Sequence, residues 1–321
     1  MKSIAVLTSG GDAPGMNPCI RAVARTGVYN KLDVFGIRDG YEGLLNNLIS
    51  PLEARDVGGI IQRGGTVLGT ARSEEFYTEA GQQAGFERLQ AAGIEGLVII
   101  GGDGSLRGAR ALAKLGFPVV GVPCSIDNDI WGTNMSIGVD SALNTIRGAI
   151  DKLRDTASSH RRAFLIETMG RNCGYLAVMA GVIGGAEVVL IPEAELSIEE
   201  VAEAVESAYK RGKTHSIVVV AEGASVSAPE LAAALEEMDV GFSTRVTVLG
   251  HIQRGGRPSA FDRLLATRMG VKAVEALLAG QSDVMVALQG RTVEYIPLEQ
   301  VTSKQREANL EYFEMCRMLA N

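Results

Sequence analysis

Two short segments of this chain set carboxylates among glycines and small polar residues: Gly101-Gly102-Asp103-Gly104-Ser105 and, after another strand-like run, Cys124-Ser125-Ile126-Asp127-Asn128-Asp129. Carboxylates beside glycine turns that admit phosphate suit phosphoryl transfer, which asks a protein for charge neutralisation, a metal site and an oriented nucleophile. Asp103, with a glycine on either side, is placed to meet a magnesium ion held by polyphosphate. As a plain helix N-terminal carboxylate it would need neither glycine. Asp127 and Asp129 lie two apart, so extended backbone would put them on one face, where a cation or cationic clamp offsets their repulsion. One then serves as general base while the other assists the metal. The alternative is an Asx-rich turn, which suits Asn128.

Ser9-Gly10-Gly11-Asp12 follows the first strand-like run and leads through Pro14-Gly15-Met16-Asn17 into a helix start, whose N–H groups favour an anion. A tight strand-to-helix turn without a ligand accounts for this motif equally well. The cations come later: Arg162, Arg171, Arg245 and Arg254 sit beside strand ends or glycine turns, with His251 between the last two. The arginine fork matches phosphate oxygens. Any one of them alone reads as a solvated surface residue, so the case rests on several converging beside glycine. His215 reads as structural or effector-linked, and the single Trp131 as a packing residue.

These residues need elements to hold them. At 321 residues, with 46% hydrophobic but only 5% aromatic side chains, the chain suits two domains built on aliphatic parallel sheets covered by helices. Ile4–Thr8, Leu97–Ile100, Val119–Val122, Ala163–Thr168, Val188–Ile191, Ser216–Ala221 and Val246–Leu249 read as buried parallel strands. Ser105–Leu115, Asp140–Thr156, Ile198–Arg211 and Phe261–Ala279 carry helical spacing. The alternation predicts a doubly wound α/β fold, with chemistry in the loops after the strands. A net charge of −7 gives no general attraction to nucleic acid or anionic membrane, which points to a small anionic ligand. The apolar start of the chain is too short for a signal peptide, and a cytoplasmic protein is expected. Cys19, Cys124, Cys173 and Cys316 are scattered without any C-x-x-C pair, which speaks against a zinc site or a disulfide framework.

Together, Leu7 to Asn17, Gly101 to Ser105, Ser125 to Asp129, Met169-Gly170-Arg171 and Leu249-Gly250-His251-Ile252-Gln253-Arg254-Gly255-Gly256 resemble the signatures of the bacterial-type, ATP-dependent 6-phosphofructokinase family. They do so in order and spacing, along nearly the whole chain. The resemblance implies two similar Rossmann-like α/β domains with the active site in the cleft between them, in a homotetramer whose subunits complete one another's sites. Residues 1–138 and 251–303 would form the nucleotide domain, and 139–250 with 304–321 the sugar-phosphate domain. The implied reaction is phosphoryl transfer from Mg-ATP to the 1-hydroxyl of fructose 6-phosphate, the committed step of glycolysis.

By the same resemblance, Gly11, Tyr41, Arg72, Gly102, Asp103, Gly104, Ser105 and Gly108 hold ATP, with Asp103 serving magnesium. Asp127 is the base, Arg171 stabilises charge on the transferring phosphoryl, Asp129 supports the metal and geometry, and the Ser125 hydroxyl bridges the reactants. Met169, Gly170, Glu222, His251 and Arg254 contact the sugar phosphate, and Arg162 and Arg245 reach it from a neighbouring subunit. Arg21, Arg25, Arg55, Arg154, Gly185, Glu187, Arg211 and Lys213 match an effector site for a nucleoside diphosphate such as ADP or for phosphoenolpyruvate. Where the family has Gly-Thr, this chain has Cys124-Ser125. Gly104 favours ATP over pyrophosphate, whereas Cys124 neither blocks a nucleotide nor supplies a cation for pyrophosphate. Ser125 keeps the hydroxyl without threonine's rotamer restriction. Cys124 beside the cleft predicts sensitivity to thiol reagents. The alternatives are a pyrophosphate-dependent kinase, a relative of the NAD kinases, and a weakened paralogue that binds nucleotide and sugar phosphate for regulation.

Overall fold

A computed structural model describes residues 1–320 and separates into two compact units. The first comprises Met1–Ile126, Ile130–Ser141 and Arg254–Gln305. It contains β1 (Ser3–Ser9), α1 (Met16–Tyr29), β2 (Asp33–Ile37), α2 (Gly40–Leu45), β3 (Ile49–Pro51), α3 (Glu79–Ala91), β4 (Leu97–Gly101), α4 (Asp103–Lys114) and β5 (Val119–Pro123), then the start of α5 (Val139–His160). The chain later adds α9 (Ala260–Leu278), β10 (Val284–Gln289), β11 (Thr292–Pro297) and α10 (Leu298–Ser303). The strands form one sheet in the order β11-β10-β5-β4-β1-β2-β3. Strands β1, β4 and β5 are buried along their whole length, as expected of central parallel strands covered on both faces. Only the flanking pairs β10–β11 and β2–β3 are antiparallel.

From β1 the chain steps to β2 on one side and later returns to β4 on the other. The crevice outside the carboxyl ends of β1 and β4 is therefore a topological switch point. Register fixes what meets there: Ser9 pairs with Gly101, and Gly101 with Pro123. Three loops thus leave the sheet at one level, carrying Gly10-Gly11, Gly102-Asp103-Gly104 and Cys124-Ser125.

The second unit comprises Asp127–Asp129, Ala142–Gln253 and the chain from Arg306 onward. It holds most of α5, then β6 (Arg162–Thr168), α6 (Tyr175–Gly184), β7 (Val188–Leu190), α7 (Ile198–Lys210), β8 (Ser216–Ala221), α8 (Ala228–Glu237), β9 (Ser243–Val248) and α11 (Leu310–Leu319). Its sheet is parallel throughout, in the order β7-β8-β6-β9. Helices α7 and α8 both start with capping boxes, Ser197 with Glu200 and Ser227 with Glu230, which satisfy N–H groups the helix itself cannot. The doubly wound α/β expectation holds in both units.

Three details differ from the sequence reading. The last strand expected as buried, Val246–Leu249, is instead Ser243–Val248, an edge strand paired only with β6, and Val246 and Val248 are exposed on it. Strands β2, β3, β10 and β11 are additional to those expected. The Asp127–Asp129 segment is not extended, because Asn128 adopts a left-handed conformation at φ 54°; the Asx-rich turn is what forms. Among the described residues, no helix is long and apolar enough to cross a membrane.

Candidate active site

In the first unit the glycines do steric work. Gly10 lies at φ 85°, and a side chain there would press on Ser105 Oγ at 3.2 Å. Thr70 Oγ1 donates to the Gly10 carbonyl at 2.8 Å, and Arg72 lies exposed two residues further on. A Cβ on Gly11 would fall 2.5 Å from Arg254 Nη1, so the guanidinium lies directly over the loop. The Nε of Arg254 is buried without a hydrogen-bond partner, an unpaired donor beside a glycine loop that an anion could satisfy.

Asp103 opens α4, and around Gly104 no atom lies within 4 Å of where a Cβ would stand. Arg107 Nε donates to Asp103 Oδ2 at 2.8 Å, one helical turn on. Gly102 sits beside the next loop, its notional Cβ 3.9 Å from Ser125 Cβ. The Ser125 carbonyl accepts from Ser136 Oγ at 2.7 Å, which ties that loop down. Tyr41 is buried under this turn, stacked on Phe76, with its hydroxyl donating to the Ser105 carbonyl at 2.6 Å. A side chain on Gly108 would meet the Tyr41 ring at 2.6 Å. Tyr41 and Gly108 therefore shape the first two turns of α4 by packing.

Cys124 corrects an expectation. It is 1% exposed, and burial pushes its thiol well up, reinforced by Cys19, Asp262 and Asp12 nearby. The other cysteines are also buried; Cys173 is pushed up to about 12 and Cys316 to about 11, in both cases mainly by burial. Thiolate is the reactive form, so the folded protein should resist iodoacetamide. Alkylation under native conditions at pH 8 is expected to leave all four thiols titratable after unfolding. Rapid modification of Cys124, followed by mass spectrometry, would show instead that its thiol is accessible and reactive.

In the second unit, β6, β8 and β9 end together: Thr168 pairs with Ala221 and Glu167 with Val248. Beyond them Met169-Gly170-Arg171 turns sharply, with Gly170 at φ 146° and Arg171 at φ 50°. The Glu222 carboxylate accepts from the backbone N–H groups of Gly170 at 3.3 Å and Arg171 at 3.2 Å. Gln253, fully buried, accepts from Met169 N–H at 3.3 Å and donates to the Gly250 carbonyl at 2.9 Å, tying this turn to the segment that bears His251. The turn presents Arg171, whose Nε lies 3.6 Å from Asp127 Oδ2. Asp127 is 4% exposed, whereas the Arg171 side chain is 59% exposed, so a buried carboxylate meets a cation open to solvent. Asp129 is partly exposed beside it. Arg162 opens β6, and Arg245 lies inside the edge strand β9 opposite Phe164, not beside a strand end.

Such an arrangement of glycine loops, carboxylates and arginines at strand ends suits phosphoryl transfer, and comparison with known proteins agrees. Residues 3–277 match the model of the family described as phosphofructokinase. The chain belongs to the phosphofructokinase family. It is 54% identical over 320 residues to the ATP-dependent 6-phosphofructokinase of Natranaerobius thermophilus, and 53% identical over 321 residues to that of Thermotoga neapolitana, with full coverage of both chains in each case. It superposes on the phosphofructokinase of Saccharomyces cerevisiae with a TM-score of 0.88 and 39% identity, covering 94% of this chain but 45% of the yeast chain.

The residues expected at an effector site divide between the units. In the second, Lys213 Nζ bonds Glu187 Oε1 at 3.3 Å and the Ala320 carbonyl at 3.1 Å, and Arg211 reaches the same carbonyl at 3.4 Å. Arg154 donates to the carbonyls of Gly184 and Gly185 and leaves its buried Nε unpaired. His215 lies close by; burial lowers its pKa, Glu187 opposes the shift, and Arg154 and Lys213 add to it. In the first unit Arg25 reaches the Ala54 carbonyl at 3.4 Å beside the exposed Arg55, with Arg21 one helical turn earlier on α1.

Among residues not singled out from sequence, Asn17 and Gln253 both organise loops. Asn17 donates to the Arg63 and Gly64 carbonyls and accepts from Val67 N–H. Both residues stand inside the quoted motifs. The partners of Asn17, 46 to 50 residues away, do not, and Gln253 joins two motifs 84 residues apart.

Proposed function

We propose that this protein is an ATP-dependent 6-phosphofructokinase, moving the γ-phosphoryl of ATP to the 1-hydroxyl of D-fructose 6-phosphate to give fructose 1,6-bisphosphate and ADP. The observation that carries the reading is the buried Asp127 carboxylate held 3.6 Å from Arg171 at the mouth of the second sheet. Asp127 accepts the proton from the 1-hydroxyl as it attacks, and Arg171 offsets charge on the phosphoryl oxygens in transit. Asp129 supports the metal and the geometry of this loop, and the Ser125 hydroxyl bridges the reactants. Gly11, Arg72, Gly102, Gly104 and Ser105 cradle the nucleotide over Tyr41 and Gly108. Met169, Gly170, Glu222, His251 and Arg254 bind the sugar phosphate, with Arg162 and Arg245 of a neighbouring copy in a homotetramer.

Magnesium fits the residues present. Asp103, partly exposed beside the open space at Gly104, offers the single carboxylate that an ion already bound to phosphates requires. When bound, it would neutralise developing charge on the phosphates. Among the described residues no cluster of three or more His, Cys, Asp or Glu forms a site independent of nucleotide. The cytoplasm is the expected location.

The reading is tested by initial rates with fructose 6-phosphate and magnesium, comparing ATP with pyrophosphate. ATP should support turnover and pyrophosphate should not; the opposite preference would overturn the reading. Ser125→Thr should raise kcat, by less than about threefold, because a β-branched side chain holds its hydroxyl in fewer rotamers. An unchanged or lower kcat refutes that account.

We infer as well that Arg21, Arg25, Arg55, Arg154, Gly185, Glu187, Arg211 and Lys213 bind ADP or phosphoenolpyruvate as effectors. The unpaired Arg154 Nε and the adjacent Arg211 and Lys213 support it. Calorimetry should find an ADP site, additional to the active site, that Lys213→Ala weakens about tenfold or more; equal binding by the variant would remove Lys213 from that site.

A further inference from the structure

The Asp127–Asp129 loop has a support that the proposed mechanism does not use. Asn128 is fully buried and lies in the left-handed region, a conformation asparagine tolerates better than most side chains but one that fixes the direction of the loop on either side. The Asn128 side chain hydrogen-bonds Tyr175, the first residue of α6, itself buried at 8% exposure. Over the Tyr175 ring lies the guanidinium of Arg306, 5.4 Å from its centroid, within the range of a cation–π interaction. The backbone N–H of Arg306 donates to the carbonyl of Asp129 at 3.3 Å.

The residues flanking Arg306 follow the same course. Gln305 forms an antiparallel bridge with Ile130, and Lys304 Nζ stands 4.3 Å from the centre of the Trp131 ring. On the other side, Ala308 N–H donates at 2.9 Å to Glu193, which also accepts from Gly174 N–H just before α6. Residues 304–308 thus form a strap laid antiparallel to the catalytic loop and fastened at both ends. A connection that only led into α11 would need neither the half-buried arginine nor its stacking on the tyrosine that holds Asn128.

We propose that Arg306 is a positioning residue for the Asp127–Asp129 loop, acting through Tyr175 on the left-handed turn at Asn128. The inference rests on reading Asp127 as the base. Misplacing a catalytic group by about 1 Å can cost a hundredfold in rate while binding persists, so the signature is a loss in kcat separated from KM.

The test compares full-length Arg306→Met, Arg306→Lys and Tyr175→Phe with wild type, measuring kcat, KM for both substrates and melting temperature, with Asp127→Asn alongside. Arg306→Met should lower kcat by about tenfold or more with both KM values within about threefold of wild type, and Arg306→Lys, which keeps a cation over the ring, should recover most of the loss. Tyr175→Phe, which removes one oxygen, should lower kcat in the same sense. A kcat for Arg306→Met within about twofold of wild type overturns the proposal, and so does a lysine variant as impaired as the methionine one. If Arg306→Met does not fold, Tyr175→Phe decides, and an unchanged kcat there is fatal. Retained turnover in Asp127→Asn would instead bring down the assignment of the base, which keeps the two failures apart.

Discussion

Asp127→Asn is expected to lower kcat by about 10²–10⁴-fold, some 3–5 kcal/mol of barrier, while fructose 6-phosphate still binds. The amide is nearly isosteric with the carboxylate but cannot take the proton of the 1-hydroxyl, so the loss falls on the chemical step. Folding should survive. The Arg171 partner is 59% exposed, so water replaces the lost ion pair at little cost, and the variant no longer has a charge at a position 4% exposed. Steady-state rates under saturating substrates, with a melting curve on the same preparation, check both halves. A variant with kcat within about threefold of wild type would show that proton removal by Asp127 does not limit the reaction. A variant that loses sugar-phosphate binding and kcat together would move Asp127 from chemistry to binding.

That expectation could be framed from sequence because the motif residues answer local demands. Gly10, Gly102 and Gly104 sit where backbone must turn or leave room, and runs such as Leu97–Gly101 and Val119–Pro123 are apolar on both faces because both faces are covered. Strands without that two-sided burial escaped notice. β2 contains a glycine and starts exposed and β3 has three residues, whereas β9 was expected but displaced to Val246–Leu249, because its exposed first positions dilute the apolar signal there. β10 was readable in principle, since Val284–Gln289 is an apolar run followed by a turn at Gly290, which adopts φ 59°.

Within the site, the failures share one cause. Placing Asp127 and Asp129 on one face assumed extended backbone, whereas Asn128 turns left-handed under the side chain of Tyr175, 47 positions on. The expected reactivity of Cys124 assumed that proximity to the catalytic loop meant exposure; the thiol instead points into the interior near Cys19 and Asp262. Gln253 and Arg306 act on turns more than 80 and more than 120 positions away, across pairings that no local pattern encodes. Residue type announces which chemistry is available, and long-range packing decides which atoms deliver it.

Asp262 shows that division in energetic terms and yields the second large effect. It is fully buried near the start of α9, yet its carboxylate caps a different helix, accepting from Gly138 N–H at 2.9 Å, Ser141 N–H at 2.8 Å and Ser141 Oγ at 2.6 Å at the N-terminus of α5. Burial raises its pKa from 3.8 to about 6 against the pull of those hydrogen bonds, with Asp140 adding to the rise. The folded state therefore binds a proton more tightly than the unfolded chain. The stability this proton contributes is fully present below about pH 4 and is lost as pH rises through about 6. A rise from 3.8 to about 6 corresponds to roughly 3 kcal/mol over the whole window. Asp262→Asn, which cannot titrate, should thus be disadvantaged relative to wild type at pH 4.5 and gain on it by about 2 kcal/mol by pH 7. Taking the difference between the two proteins cancels the other titrating groups. Urea denaturation of both at the two pH values measures it: a difference independent of pH would mean that the hydrogen bonds at the α5 N-terminus fully offset burial, and one that widens with pH would mean that they outweigh it.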